Sequence, residues 1–149
     1  MVWKPSVTVA AIAERDGRFL LVEEHTNRGQ RFNQPAGHLD PGESLIQAVM
    51  RETLEETACT FEPKGLLGVY QYHSSAEDVT YIRFAFTGSI TGPESGRALD
   101  SGIIRAVWLT PEEIRREAKR HRSPLVMRCI DDYLAGRRFP LGLLYHHSR

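Results

Sequence analysis

Hydrophobic and polar positions divide the chain into short apolar runs separated by turn residues, with one longer helical pattern near the middle. VTVAAIA (residues 7–13) and FLLVEE (residues 19–24) flank the turn-forming residues 14–17, which predicts an N-terminal hairpin. A loop over residues 25–32 leads into NQPAGH. Ser44 followed by Gln47 is a capping box after the turn pair Pro41-Gly42, so a helix starts near Ser44. At 100° per residue Ile46, Val49, Met50 and Thr53 form one apolar stripe, while Glu52, Glu55 and Glu56 gather on another face. GLLGVYQYH and VTYIRFAFTGSI are strand-like and separated by the polar residues 74–78, and residues 103–109 form a further strand. Thr110-Pro111-Glu112-Glu113 starts a helix with proline at its first position, and Ser123-Pro124 opens a last one that Gly136 stops. Strands, helix, strands, helices in that order predict an α/β protein with a mixed sheet between helices.

Length and charge narrow the picture. The 149 residues, 41% hydrophobic, suffice for a single core and are read as one domain, residues 1–149. With 19 basic and 19 acidic side chains the formal charge is zero, so no global field draws the protein to nucleic acid or an anionic membrane. Arg115, Arg116, Lys119, Arg120 and Arg122 form a basic run, but Glu112, Glu113 and Glu117 are interleaved with it, which favours a solvated helix face over an RNA site. Residues 7–13 are too short an apolar run to span a membrane and lack a signal peptide's flanks. Cys59 and Cys129 give no disulfide framework or metal-type spacing. Reduced cysteines point to the cytoplasm. A monomer or a homodimer is expected.

The acidic helix carries the chemistry. Three carboxylates on one face repel one another unless a cation lies between them or some are protonated. Hard oxygen ligands of this kind suit Mg2+ or Mn2+, which in turn grip phosphate oxygens. Arg51 and Glu55 are i,i+4 partners, and Glu43 stands just ahead of the helix, where its charge favours the N-terminal dipole.

GHLDPGESLIQAVMRETLEETAC (residues 37–59) fits G-x5-E-x7-R-E-x-x-E-E at every fixed position, through Gly37, Glu43, Arg51, Glu52, Glu55 and Glu56. This string resembles the signature of the Nudix hydrolases, which split a diphosphate linked to another moiety with a divalent metal. The resemblance implies the Nudix fold, an α/β/α sandwich. It implies that Glu43 and Arg51 orient loop and helix, that Glu52, Glu55 and Glu56 hold metal, and that a backbone carbonyl at Ala36 or Gly37 completes the site. Family members differ in which glutamate takes the proton of the attacking water; here Glu52 is the first candidate and Glu55 the second. Two positions depart from the pattern, Thr53 for an aliphatic residue and Ala58 for a glycine. The Thr53 hydroxyl can bond back one turn earlier. Ala58 leaves two geometries open, a left-handed cap that costs a Cβ residue on the order of 1 kcal/mol, or a helix that ends differently.

FNQPAGHL (residues 32–39), RSPLV (122–126), RRFPL (137–141) and the VTVA opening resemble the NudJ-type phosphatases. That likeness implies a small phosphorylated substrate, a nucleoside di- or triphosphate or the pyrimidine pyrophosphate precursor of thiamin, with orthophosphate released. A diadenosine polyphosphate or ADP-ribose hydrolase and a non-catalytic nucleotide-binding module of the same fold are the competing readings. Asn33, Gln34 and His38 are candidates for substrate contact or for turn hydrogen bonding. Arg83 is a candidate for a phosphate contact or an edge-strand ion pair. Tyr70, Tyr72, Phe84 and Phe86 are mostly core, with one or two left to stack on a base. Asp100 is either an extra carboxylate near the metal or a turn former.

Overall fold

The computed structural model describes residues 1–148. The run VTVAAIA is apolar on both faces because both faces are covered. It forms β1 (Ser6–Ile12), interior to a mixed four-stranded sheet of order β5-β1-β7-β6, with β5 spanning Ala36–His38, β6 Thr60–Ser74 and β7 Val79–Thr91. β1 runs parallel to β7 and antiparallel to β5. A second sheet is built on β3 (Arg18–Thr26), which pairs with β2 (Glu14–Arg15), β4 (Gly29–Asn33) and β8 (Ile103–Leu109).

Two sequence expectations are corrected. The hairpin at Asp16-Gly17 joins β3 only to the two-residue β2, because the chain changes sheets near Ala13 and β1 finds its partners elsewhere. Residues 25–32 are not a loop: the end of β3 pairs with β4 from Thr26↔Gly29 to Val22↔Asn33. The strand over residues 103–109, the capping box at Ser44 and the helix start at Thr110 are found as expected; Thr110 forms a second capping box with Glu113, and the break is one residue shorter than expected, since Ser74 still belongs to β6.

Helix α1 (Leu45–Thr57) covers one face of the mixed sheet, where Ala48 and Val49 meet Val9, Ala11, Phe61, Leu66 and Phe86. On the other face α2 (Pro111–Arg116) and α3 (Leu125–Leu134) contribute Ile114, Val126, Cys129 and Ile130 to a core shared with Ala10, Ile12, Ala85, Phe19 and Leu21. This is the α/β/α arrangement. The buried stripe of α1 is Ala48, Val49, Thr53 and Thr57, whereas Met50 is exposed. Thr53 donates to the Val49 carbonyl at 2.7 Å, satisfying a hydroxyl that lies where an aliphatic side chain would need no partner. Ala58 takes the left-handed cap, φ 62°, its N–H donating to the Leu54 carbonyl.

No helix among the described residues is long and apolar enough to cross a membrane. The basic run is tied down by carboxylates of other elements: Arg115 to Asp131, Arg120 to Glu23, and Arg122 to Glu24.

Candidate active site

The turn before α1 and the helix itself are joined by one guanidinium. Arg51 donates through Nε and Nη2 to the two oxygens of Glu43, at 2.6 and 2.9 Å. It also reaches Glu52 at 2.8 Å, Glu55 at 3.1 Å and the His38 carbonyl at 3.0 Å. Glu43 accepts the Asp40 N–H as well, which closes the turn. These bonds hold the Glu43 carboxyl below the usual range and raise Arg51 further above neutrality. Arg51 and Glu43 thus fix the helix against the loop and β5.

Gly37 is required by close approach. A Cβ at this position of β5 would overlap the Glu52 carboxylate, so only a residue without one lets that carboxylate lie against the strand. Glu52, Glu55 and Asp100 each offer a carboxylate oxygen, and these oxygens all lie within 4.8 Å of one another. Asp100 comes from the loop before β8 and is held by its own N–H, which donates to the Glu55 carbonyl at 2.9 Å. Glu56 is not in that group; its Oε1 accepts the Ala36 N–H at 3.0 Å. Burial, reinforced by Glu24, Glu52 and Asp100, pushes the Glu56 carboxyl up to about 9, against the Ala36 bond. Burial also raises Glu52, with Arg51 opposing and Glu55 and Asp100 adding to the rise. The acidic oxygens are therefore crowded beyond what Arg51 neutralises, and this donor set fits a hard divalent cation.

Glu52 and Glu56 form one end of a cleft of about 400 Å³ that Ala36, Gly37 and His38 also line. Thr8, Asn33, Tyr72, Tyr81, Arg83 and Arg122 line the rest of it, together with Glu24, whose charge acts on Glu56. Of the residues singled out from sequence, Asn33, His38 and Arg83 face this cleft. Gln34 does not: it is 1% exposed, accepts from Arg83 and donates to the Val126 carbonyl at 2.8 Å, so both ends of its amide are occupied inside the protein. Arg83 is not an edge residue either, because β7 lies between β1 and β6. Tyr70 is bonded to Asp132 at 2.7 Å and Phe86 is core, which leaves Tyr72 as the one aromatic of the four lining the cleft.

Sequence reasoning missed Tyr81 and Glu24. Tyr81 was within reach, since it lies two residues before Arg83 on the same strand and hence on the same face. Glu24 had no comparable signal. It belongs to the other sheet and meets the cleft only through the packing of the two sheets.

A mixed sheet between helices, with a cleft whose acidic end is organised by a single arginine, is an arrangement suited to holding a divalent cation against a phosphate. The chain belongs to the Nudix hydrolase family, with residues 2–129 matching the NUDIX domain. It is 36% identical over 143 residues to Phosphatase NudJ of Escherichia coli (strain K12), covering 96% of this chain and 92% of that protein. The structure of a NUDIX hydrolase from Nitrosomonas europaea superposes with a TM-score of 0.94 at 50% identity, covering 97% of this chain and 98% of that one. A MutT NUDIX hydrolase from Burkholderia pseudomallei shares the fold at TM-score 0.74 and 20% identity, over 87% and 98% of the two chains.

Proposed function

We propose that this Nudix hydrolase uses Mg2+ or Mn2+ to cleave the terminal phosphoanhydride of a nucleoside di- or triphosphate, or of a related compound such as the thiamin-precursor pyrimidine pyrophosphate, releasing orthophosphate. The observation that carries it is the convergence of Glu52, Glu55 and Asp100 within 4.8 Å, with Glu52 also lining the cleft. The name of the NudJ relative, a phosphatase, supports orthophosphate as the product.

Glu52, Glu55 and Asp100 would hold the cation, with Glu56 and a carbonyl of Ala36 or Gly37 as further ligands. A divalent ion there supplies neutralisation of phosphate charge and activation of the attacking water. Glu52 receives the proton of that water on a carboxylate oxygen, with Glu55 as the second candidate. Arg51 and Glu43 keep both glutamates in place, and Arg51 offsets part of their repulsion. Asn33, His38 and Arg83 contact the rest of the substrate, with Gln34 bracing Arg83 from behind. We place this activity in a single domain of the cytoplasm, consistent with two buried free cysteines.

A phosphate-release screen over nucleotides, sugar nucleotides and thiamin-pathway pyrophosphates tests the reading. Orthophosphate release that EDTA abolishes and Mg2+ or Mn2+ restores is expected. Full turnover in chelator contradicts the metal site, and release of pyrophosphate or a nucleoside monophosphate from an internal bond contradicts the product assignment.

A further inference from the structure

The part of the cleft lined by Tyr72, Tyr81 and Arg83 has a construction of its own. Tyr72 of β6 and Tyr81 of β7 are direct cross-strand partners, so their rings stand side by side on one face of the sheet. Both are half-buried and both line the cleft. The Tyr81 hydroxyl is occupied by Glu77 at 3.1 Å, which anchors the ring by its tip.

Beside them on the same face of β7 is Arg83, 5% exposed in the middle of the sheet. Among the described residues no carboxylate lies within ion-pair distance of it, although the charge of Glu24, which lines the same cleft, acts on it from farther off. Its partners are neutral: Gln34 Oε1 at 2.9 Å and the Cys129 thiol at 3.7 Å on Nη1, and Asn33 Oδ1 at 2.8 Å on Nη2. A guanidinium has five N–H donors, so two remain, at Nε and Nη2. Arg83 lines the cleft, and these two donors have no hydrogen-bond partner among the described residues. A cation buried by neutral braces is costly unless something in the cleft accepts from it.

We infer that this part is a ring subsite: a heterocycle of the substrate stacks on Tyr72 and Tyr81 and presents carbonyl or ring-nitrogen acceptors to Arg83, which selects the ring. At about 400 Å³ the cleft is near the small end for ligand sites and has to take the phosphates as well. It has room for one heterocycle with its phosphates. A donor-only guanidinium favours a ring bearing carbonyl oxygens, as uracil does. The inference deepens the hydrolase reading above and depends on it only for which end takes the diphosphate.

Binding measured by calorimetry with Mg2+ separates ring from phosphate, using uridine 5′-(α,β-methylene)diphosphate and the ringless methylenediphosphonate. The wild type should bind the uridine ligand at least tenfold more tightly. Arg83→Lys, which lacks the planar fork, should weaken the uridine ligand about tenfold to a hundredfold and leave methylenediphosphonate unchanged. Tyr72→Leu, at a half-buried position that does not threaten the fold, should weaken it about tenfold through lost stacking, and decides the matter if Arg83→Lys does not fold. Equal losses on both ligands would make Arg83 a phosphate contact and overturn the subsite, as would no loss in either variant or no wild-type preference for the ring. Ring-dependent binding without turnover of uridine diphosphate would count against the hydrolase reading and leave the subsite standing.

Discussion

Two acidic clusters in this molecule are treated in opposite ways. Glu23, 6% exposed, has a guanidinium for each oxygen: Arg105 Nε lies 2.8 Å from one, and Arg120 is bonded to the other while stacking over Phe32. At the head of the cleft a single guanidinium, Arg51, is shared by Asp40, Glu43, Glu52 and Glu55, with Asp100 and Glu56 close by. The first cluster is complete as it stands and contributes to stability. In the second, negative charge is left over, and holding it there costs free energy that a bound cation would offset. The difference teaches where chemistry is placed: carboxylates with their own partners are structure, and carboxylates that outnumber their partners are poised to bind.

Substitutions should separate the two clusters cleanly. Glu52→Gln and Glu56→Gln should each lower kcat by on the order of a hundredfold or more without unfolding the protein, as judged by steady-state phosphate release and thermal melting. Folded variants with near-normal rates would move the chemistry elsewhere. Gly37→Ala forces the Glu52 carboxylate off the strand, and about a tenfold rise in the Mg2+ concentration needed for half-maximal activity is expected, with little change in Tm.

Glu23→Gln should do the reverse, destabilising the protein by about 2 kcal/mol with turnover unchanged; the figure is below that for a fully buried pair because the arginine partners reach solvent. Its pH dependence has a definite sign. The bond from Arg105, joined by Arg120, holds the Glu23 carboxyl below its ordinary 4.5, against burial. Its contribution is then complete above pH 4.5 and is lost as pH falls through the lower folded-state value. Denaturant titrations should show the wild-type advantage over Glu23→Gln shrinking below pH 4.5, and an advantage that grows in acid would refute this account of the ion pairs.

The smallest effect belongs to Ala58. Since it occupies the left-handed cap, Ala58→Gly should raise stability by about 0.5 to 1 kcal/mol, the relief of the Cβ clash being reduced by the methyl group lost from a buried site. A loss of stability would mean that the buried methyl outweighs the strain, and a tenfold higher kcat would mean that this cap tunes catalysis.

What the sequence discloses divides along the same line as local and distant interactions. Capping boxes at Ser44 and Thr110, the glycine stop after α3 and the Glu43–Arg51–Glu52–Glu55 group are set by residues within about a dozen positions, so spacing alone is informative about them. The partners of β1 are not local. Its parallel neighbour β7 is some 75 residues away, and the apolar run would serve equally well in a hairpin with β3. The same reasoning covers Asp100, whose two possible roles composition could not separate, and Glu24, which another sheet delivers to the cleft. Arg83 was visible as an odd charge in an apolar strand, but its neutral braces, Gln34 and Cys129, come from separate parts of the chain.

The central claim, that the surplus of carboxylates around Glu52 is a divalent-metal site, is tested most directly by titrating Mn2+ into the protein and reading bound metal by electron paramagnetic resonance. Saturable binding in the wild type, weakened at least tenfold in both Glu52→Gln and Asp100→Asn and unchanged in Glu23→Gln, is the result the account predicts. Equal Mn2+ binding in the wild type and in Glu52→Gln would contradict it.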